Sequence, residues 1–314
     1  MMNAAVGHPR VPDERIAAHT NGDARRPPDT EAARVWRASA SDFATTQAAA
    51  QVFRGCASMF RAFGLSDAQL LRIAPLVTHL GAVVYRADAE IERQQRAGSD
   101  RIVDVWSDEL LSLLGTVGIG GDRVRRTVAP LPELIDLETA FVRRREVSVE
   151  RLVRMIELRP FDLELATAVV AEVVGTRTAD ALCAPLHELY VLRDVLDDVR
   201  SLEEDERAGT FNCFLAAERL VGGDGARELL DGIVRDVDGR IVEWIAAATD
   251  ESVVALSVAM AEPADDAAAL AAWNLAAADP SVTRSALVEH LERGAARGFG
   301  AVWESAEHRE RMPA

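Results

Sequence analysis

Apolar residues recur at helical spacing along almost the whole chain from Ser41 onward, and this pattern most constrains the fold. Short breaks that contain Gly or Pro separate the periodic stretches, at residues 118–122, 159–162, 221–225 and 279–280. Ser66 and Asp67 predict the start of a helix that ends at Tyr85, and a further helix is predicted near 87–97. Three- and four-residue spacing of apolar side chains indicates amphipathic helices, and no run alternates with the period of two that a strand needs. The sequence therefore predicts an all-α fold, a single many-helix bundle around one core over residues 41–314.

The first 40 residues differ from the rest of the chain. They combine scattered charge with prolines and glycines, and their apolar residues follow no period. A segment of this composition cannot bury enough apolar surface to fold, so we expect residues 1–40 to be a disordered tail. Neither the apolar stretch of a signal peptide nor an apolar run of transmembrane length is present. We therefore expect a cytoplasmic protein with no membrane insertion.

The charge balance limits the partners of the protein. The chain has 51 acidic residues and 35 basic ones, a formal net charge of -16, and every basic residue is Arg because no Lys occurs. The summed field of such a chain repels phosphate backbones and anionic lipid surfaces. We therefore expect no binding to nucleic acid.

The segment 186–220 carries an acidic stripe when it is placed on a helical wheel. Its polar side chains cluster beside an apolar face, at Asp194, Asp197, Asp198, Ser201 and Asp205. Like charges spaced by four residues destabilise a helix by roughly 0.2–0.5 kcal/mol, and the arginines of the segment point away from the stripe. Carboxylates without a basic partner, beside a hydroxyl, are typical ligands of Mg²⁺. An ordinary solvated helix face is the alternative interpretation.

Two adjoining sequences in this segment carry a resemblance to a known family. DDVRSLEED at 197–205, followed by ERAGTFN, resembles the second metal motif of class I terpene synthases and the sequence after it. The resemblance implies Asp197, Ser201 and Asp205 as ligands of Mg²⁺, in a site where three ions accompany a diphosphate. The chain departs from the family where Asp205 replaces Glu and where Glu204 stands in place of the usual basic residue.

The first metal motif of the family has two candidate positions in this chain. VDVWSDELLS at 103–112 resembles the Asp-rich motif, which implies Asp108 and Glu109 as metal ligands, with Ser112 in place of the final acid. The second candidate is Asp88 with Glu92, which are also acids four residues apart on a predicted helix.

Two arginines are candidates for binding the diphosphate. ELRPFDLE at 157–164 resembles the family's sensor region, which implies Arg159 as the sensor of the diphosphate and Asp162 as the residue that links it to ionisation. Pro160 predicts a helix break there, because it lacks an N–H group and disfavours helix at the residue before it. Near the C-terminus, AAWNLAAADPSVTR resembles the family's last conserved region and implies Arg284 as a second cation.

The resemblance implies a terpene synthase of isoprenoid biosynthesis. Such a lyase uses Mg²⁺ to ionise an allylic prenyl diphosphate of C10, C15 or C20, and the cation is then cyclised or quenched. A homodimer is compatible with the resemblance. Three alternatives stay open: a squalene/phytoene-synthase-like or trans-prenyltransferase condensing enzyme, a degenerate non-catalytic binding protein of the same family, and an unrelated helical interaction protein.

Overall fold

The computed structural model describes residues 45–50, 57–98, 106–143, 147–175 and 177–260, with a few isolated positions besides. Every element in these ranges is an α-helix, and no strand occurs among them, which confirms the all-α prediction. The predicted tail at 1–40, the predicted break at 279–280 and the candidate cation Arg284 lie outside the described residues.

The described helices follow one another with short connections. The first, α1, covers residues 45–50. The others are α2 (Ala57–Ala62), α3 (Asp67–Arg96), α4 (Trp106–Thr116), α5 (Asp122–Val128), α6 (Leu131–Val142), α7 (Val149–Leu158), α8 (Phe161–Val174), α9 (Arg177–Arg200), α10 (Leu202–Ala208), α11 (Cys213–Ala247) and α12 (Asp250–Met260).

Helix α3 begins where the sequence predicts and ends later than predicted. The Ser66 side chain accepts from the backbone N–H of Gln69, and the Gln69 side chain accepts from the backbone N–H of Ser66. This capping box satisfies two N–H groups that the first turn leaves unbonded. The sequence predicted separate helices up to Tyr85 and from Ala87. They form one 30-residue helix, because no Gly or Pro interrupts the residues between them.

The core has two parts that meet on α8. The larger part surrounds α9, which packs against α7, α8, α11 and α12. The smaller part lies between α3, α4, α5, α6 and α8. Successive buried residues of α8 belong to different parts, since Val170 contributes to the first and Val169 to the second. Both faces of α8 are therefore held by the core.

The GIGGD break at 118–122 binds a carboxylate from within the chain. The backbone N–H groups of Gly120 and Gly121 donate to Glu172 Oε1 at 3.0 and 2.8 Å. A Cβ atom at Gly121 would lie 2.9 Å from the Glu172 carboxylate, so any larger residue would require this carboxylate to shift. The glycine pair thus joins the start of α5 to the end of α8.

Helix α3 has the length and composition of a membrane span. Among the described helices, only its stretch Asp67–Gln95 meets this description, because its most apolar 18-residue window has a mean hydropathy of 1.2. The same properties occur in core helices of proteins that never enter a membrane. One face of α3 packs into the smaller part of the core through Leu80, Val83 and Ile91.

Candidate functional site

Arg159 and Asp198 form an ion pair at the centre of the candidate site. Arg159 follows the last residue of α7, and its Nη1 atom lies 2.5 Å from Oδ2 of Asp198 on α9, 39 residues away. The same Asp198 oxygen accepts a hydrogen bond from the backbone N–H of Cys213, at 2.7 Å. The side chains of Arg159 and Asp198 are 19% and 5% exposed. One carboxylate thus receives both a guanidinium and the N-terminus of α11.

The charge of Arg159 is held by two acids. Burial alone would lower the pKa of Arg159, but the nearby charges of Asp198 and Asp194 outweigh burial and hold this pKa well above its ordinary value. The guanidinium also lies 5.1 Å from the ring centroid of Phe211, within the range of a cation–π contact. Arg159 therefore stays charged, and nearby acids of the protein already compensate this charge.

This ion pair corrects the sequence prediction for the acidic stripe. The stripe was expected to lack a basic partner, and for Asp198 this prediction is wrong because Arg159 comes from another helix. The stripe also does not follow one continuous helix. Helix α9 ends at Arg200, Ser201 takes a φ of -92° and a ψ of 5°, and α10 begins at Leu202. Asp205 therefore reaches the site from a separate helix.

Asp205 accepts hydrogen bonds from three side chains. The donors are Ser201 Oγ at 2.5 Å, Asn212 Nδ2 at 3.0 Å and Thr210 Oγ1 at 3.3 Å, and Asp205 is buried. Two of the three predicted metal ligands, Ser201 and Asp205, are thus in direct contact. The third, Asp197, is half-buried on the last turn of α9.

Asn212 joins the three helix ends at the site. Its Nδ2 atom donates to the backbone oxygen of Asp198 at 2.6 Å in addition to the carboxylate of Asp205. Its Oδ1 atom accepts from the backbone N–H groups of Phe214 and Leu215, so Asn212 is also the N-cap of α11. Asn212 is completely buried. The ends of α9, α10 and α11 are therefore fixed relative to one another by one side chain.

Glu138 on α6 belongs to the same polar interior and was missed by the sequence analysis. Desolvation raises the pKa of Glu138, Arg159 opposes this shift, and the charges of Glu92 and Asp198 add to it. Gln95 on α3 donates to Glu138 Oε2 at 3.4 Å and to Thr139 Oγ1 at 3.1 Å. A single acid on an amphipathic helix has no local signal that separates it from a surface residue.

The two candidates for the first metal motif lie in different surroundings. Asp108 is exposed on α4, a helix that packs against α3 and α5, and the side chain of Glu109 lies outside the described residues. Asp88 is exposed on α3, whereas Glu92 is half-buried and close enough to shift the pKa of Glu138. Glu92 therefore has an electrostatic link to the Arg159 cluster.

Asp162 lies on the wall of an apolar cavity. Its Oδ1 atom accepts from the backbone N–H of Leu163 at 2.7 Å, in the first turn of α8. The cavity measures about 30 Å³ and is lined mainly by apolar side chains, among them Phe53, Phe60, Val77 and Val84. This volume holds roughly two water molecules, so a prenyl chain enters only if the cavity widens.

The donor chemistry of the site fits Mg²⁺, although no metal cage is formed in advance. Within the described ranges, no three His, Cys, Asp or Glu side chains gather closely enough to hold an ion. Proteins usually bind Mg²⁺ through one or two carboxylates together with phosphate oxygens and water. Asp197, with the Ser201–Asp205 pair beside it, offers oxygen donors of this kind at the break between α9 and α10.

Comparison with known proteins does not assign the chain to a class. No protein-family model, no curated protein and no solved structure matches it. The function of the site is therefore inferred from its geometry.

Proposed function

We propose that the protein is a class I terpene-synthase-like enzyme, which uses Mg²⁺ to bind and ionise an allylic prenyl diphosphate. One observation carries the proposal. Arg159, which the resemblance implies as the diphosphate sensor, touches Asp198 inside the implied metal motif at 2.5 Å. The two residues lie on different helices, and a shared diphosphate site would require them to be neighbours. If Arg159 were only part of a turn between α7 and α8, there would be no reason for it to contact Asp198.

The binding step follows from the charges at the helix ends. Asp197, Ser201 and Asp205 would hold Mg²⁺, and Glu92 with Asp88 would supply acids from α3. When bound, Mg²⁺ neutralises the leaving diphosphate as a Lewis acid. Arg159 donates charge-assisted hydrogen bonds to diphosphate oxygens, which are stronger than bonds between neutral groups.

The interior next to Arg159 suits a reactive hydrocarbon cation. Arg159 and Asp162 lie on the two sides of the break at Pro160, so the polar site and the apolar cavity share one turn. Apolar walls exclude water, which otherwise quenches the cation before it rearranges. Asp162 and Tyr85 bring polar groups to this wall, where they can stabilise developing positive charge.

A non-catalytic binding protein is the second candidate function. Both oxygens of Asp205 already accept hydrogen bonds within the chain, and the cavity is small. These two observations favour a protein that binds an isoprenoid diphosphate without ionising it. The two candidates differ in whether diphosphate is released.

The deciding experiment measures diphosphate release. The purified protein is incubated with Mg²⁺ and C10, C15 or C20 allylic diphosphates, and products are extracted and identified. We expect release that requires Mg²⁺ and falls about 100-fold or more in Asp197→Ala, because even the loss of a residue that only supports a metal ligand costs about 10- to 100-fold. Glu206→Gln, an exposed acid of α10, serves as the control with the same loss of charge.

Each other outcome has a definite meaning. Binding of the substrate with no release favours the non-catalytic candidate, and a longer prenyl product identifies a condensing enzyme. No release and no stabilisation by Mg²⁺ with inorganic pyrophosphate would refute both candidates.

A further inference from the structure

We infer that Asp198 is a positioning residue that occupies the anion position on Arg159 in the ligand-free protein and gives it up when a diphosphate binds with Mg²⁺. The identity of the anion rests on the proposed function. The occupation of Arg159 by Asp198 rests on the structure itself.

Two donors of different kinds bind the Asp198 carboxylate. One is the guanidinium of Arg159 and the other is the first backbone N–H of α11, at Cys213. Guanidinium groups and helix N-termini both bind phosphate oxygens in proteins. Both converge here on one carboxylate oxygen. The position of this oxygen is therefore one that a phosphate oxygen can take with the same two donors.

The charge of Arg159 is already compensated by nearby acids. Around Arg159, the acids are Asp194 and Asp198 from α9 and Glu138 from α6, and Glu92 from α3 lies near Glu138. A diphosphate without a cation would be repelled by these groups and would find Arg159 already compensated. A divalent cation at the neighbouring Asp197 offers the Asp198 carboxylate a new partner. The anion and the carboxylate can then exchange places.

The backbone of Asp198 is held independently of its carboxylate. The main-chain oxygen of Asp198 accepts from Asn212 Nδ2 at 2.6 Å, and Asn212 is held by its capping bonds in α11. This bond does not involve the Asp198 carboxylate. The side chain can therefore change partners by rotation while the junction of α9, α10 and α11 stays in place.

The test uses inorganic pyrophosphate without metal, in the presence of a chelator, and calorimetry on the full chain. We expect Asp198→Asn to bind pyrophosphate about tenfold or more tightly than the wild type, since close charge pairs at protein sites commonly have coupling energies of this size or larger. Glu206→Gln should bind like the wild type. Adding Arg159→Gln to Asp198→Asn should remove the gain.

The inference is overturned if Asp198→Asn binds no more tightly than Glu206→Gln, or if the gain survives Arg159→Gln. Circular dichroism checks the fold of each variant. If Asp198→Asn does not fold, Asp198→Ser replaces it, because it also removes the carboxylate and keeps a small polar side chain at this position, and the same gain is expected. An absence of gain in the folded Ser variant equally overturns the inference.

The outcome is separate from that of the proposed function. Wild-type protein that fails to bind pyrophosphate even with Mg²⁺ contradicts the proposed function and the release of Asp198 that depends on it, but not the occupation of Arg159 by Asp198. A gain in Asp198→Asn without metal would still support the inference. Conversely, Mg²⁺-dependent diphosphate release with no gain in Asp198→Asn supports the enzyme and refutes the role of Asp198.

Discussion

The Nδ2 atom of Asn212 lies 3.0 Å from a carboxylate oxygen of Asp205, and this bond ties the start of α11 to α10. Asn212→Ala should destabilise the protein by about 2–4 kcal/mol, because α11 loses its N-cap and the buried oxygens of Asp205 and Asp198 each lose a donor. Urea unfolding measures the change. Thr210→Val removes only the weaker 3.3 Å bond to Asp205, so a loss equal to that of Asn212→Ala would contradict this account.

The buried ion pair predicts a non-additive double mutant. Arg159→Met leaves Asp198 without its cation and should cost about 3–5 kcal/mol of unfolding free energy. Arg159→Met combined with Asp198→Leu should cost less than Arg159→Met alone, because no uncompensated charge then remains in this pair. Equal or greater destabilisation of the double variant in a denaturant series would show that the pair is not the source of the effect.

Asp238 on α11 predicts a pH dependence of stability. Desolvation raises its pKa to about 6, whereas an unfolded Asp has a pKa of about 3.9. Between these values the native state keeps a proton that the unfolded state has lost, so stability falls as the pH rises from about 4 to about 6. Asp238→Asn should stabilise the protein at pH 7 by about 1–3 kcal/mol and flatten this part of the profile.

Melting temperatures of wild type and Asp238→Asn between pH 4 and pH 8 check the prediction. Asp236→Asn, an exposed neighbour on the same helix, is the matched control. A profile that is unchanged in Asp238→Asn would mean that another group produces the pH dependence.

The glycine pair before α5 offers two nearly identical substitutions with different outcomes. Gly121→Ala places a Cβ atom 2.9 Å from the Glu172 carboxylate, which must move and weaken its two backbone hydrogen bonds. A loss of about 1–2 kcal/mol is expected. Gly120→Ala meets open space and should change stability by less than about 0.5 kcal/mol. Thermal unfolding of both variants measures the two losses of stability. Equal losses would contradict the role of Glu172 as the hydrogen-bond partner of the glycine pair.

The surroundings of the first metal motif predict which acid matters for activity. Glu92→Gln should lower Mg²⁺-dependent diphosphate release by about 10- to 100-fold, because the charge of half-buried Glu92 acts on Glu138 in the Arg159 cluster. Asp108→Asn, on the exposed face of α4, should retain activity within about twofold, as surface substitutions usually do. Initial rates at saturating Mg²⁺ measure the activity of both variants. If Asp108→Asn loses more activity than Glu92→Gln, the motif at 103–112 is the metal site instead.

Features that depend on neighbouring residues were predicted correctly from the sequence. Ser66 and Asp67 open α3, Pro160 separates α7 from α8, and Gly222 bends α11 with a φ of 78°. Each of these signals acts within one helical turn through a cap, a missing N–H group or a missing Cβ atom. The break at Ser201 was not predicted, because no Gly or Pro marks it.

The candidate site could be predicted only in part. The motif at 197–205 and Arg159 were found separately, but their contact, the role of Asn212 as a link and the acid Glu138 were not. Glu172 shows the same limit at the GIGGD break, since its partner glycines lie 51 and 52 residues away. Periodicity on one helix does not report which other helix supplies the partner.

By itself, the sequence determined that the chain forms helices, where most of them begin and end, and which segment concentrates its acids. These properties follow from local spacing and capping, which residues a few positions apart decide. Only the tertiary structure decided that Asp198 is compensated by Arg159 and that Asp205 is held by Asn212. Burial makes an uncompensated charge costly, so the packing of α7, α9 and α11 determines which of these acids keep a partner within the chain.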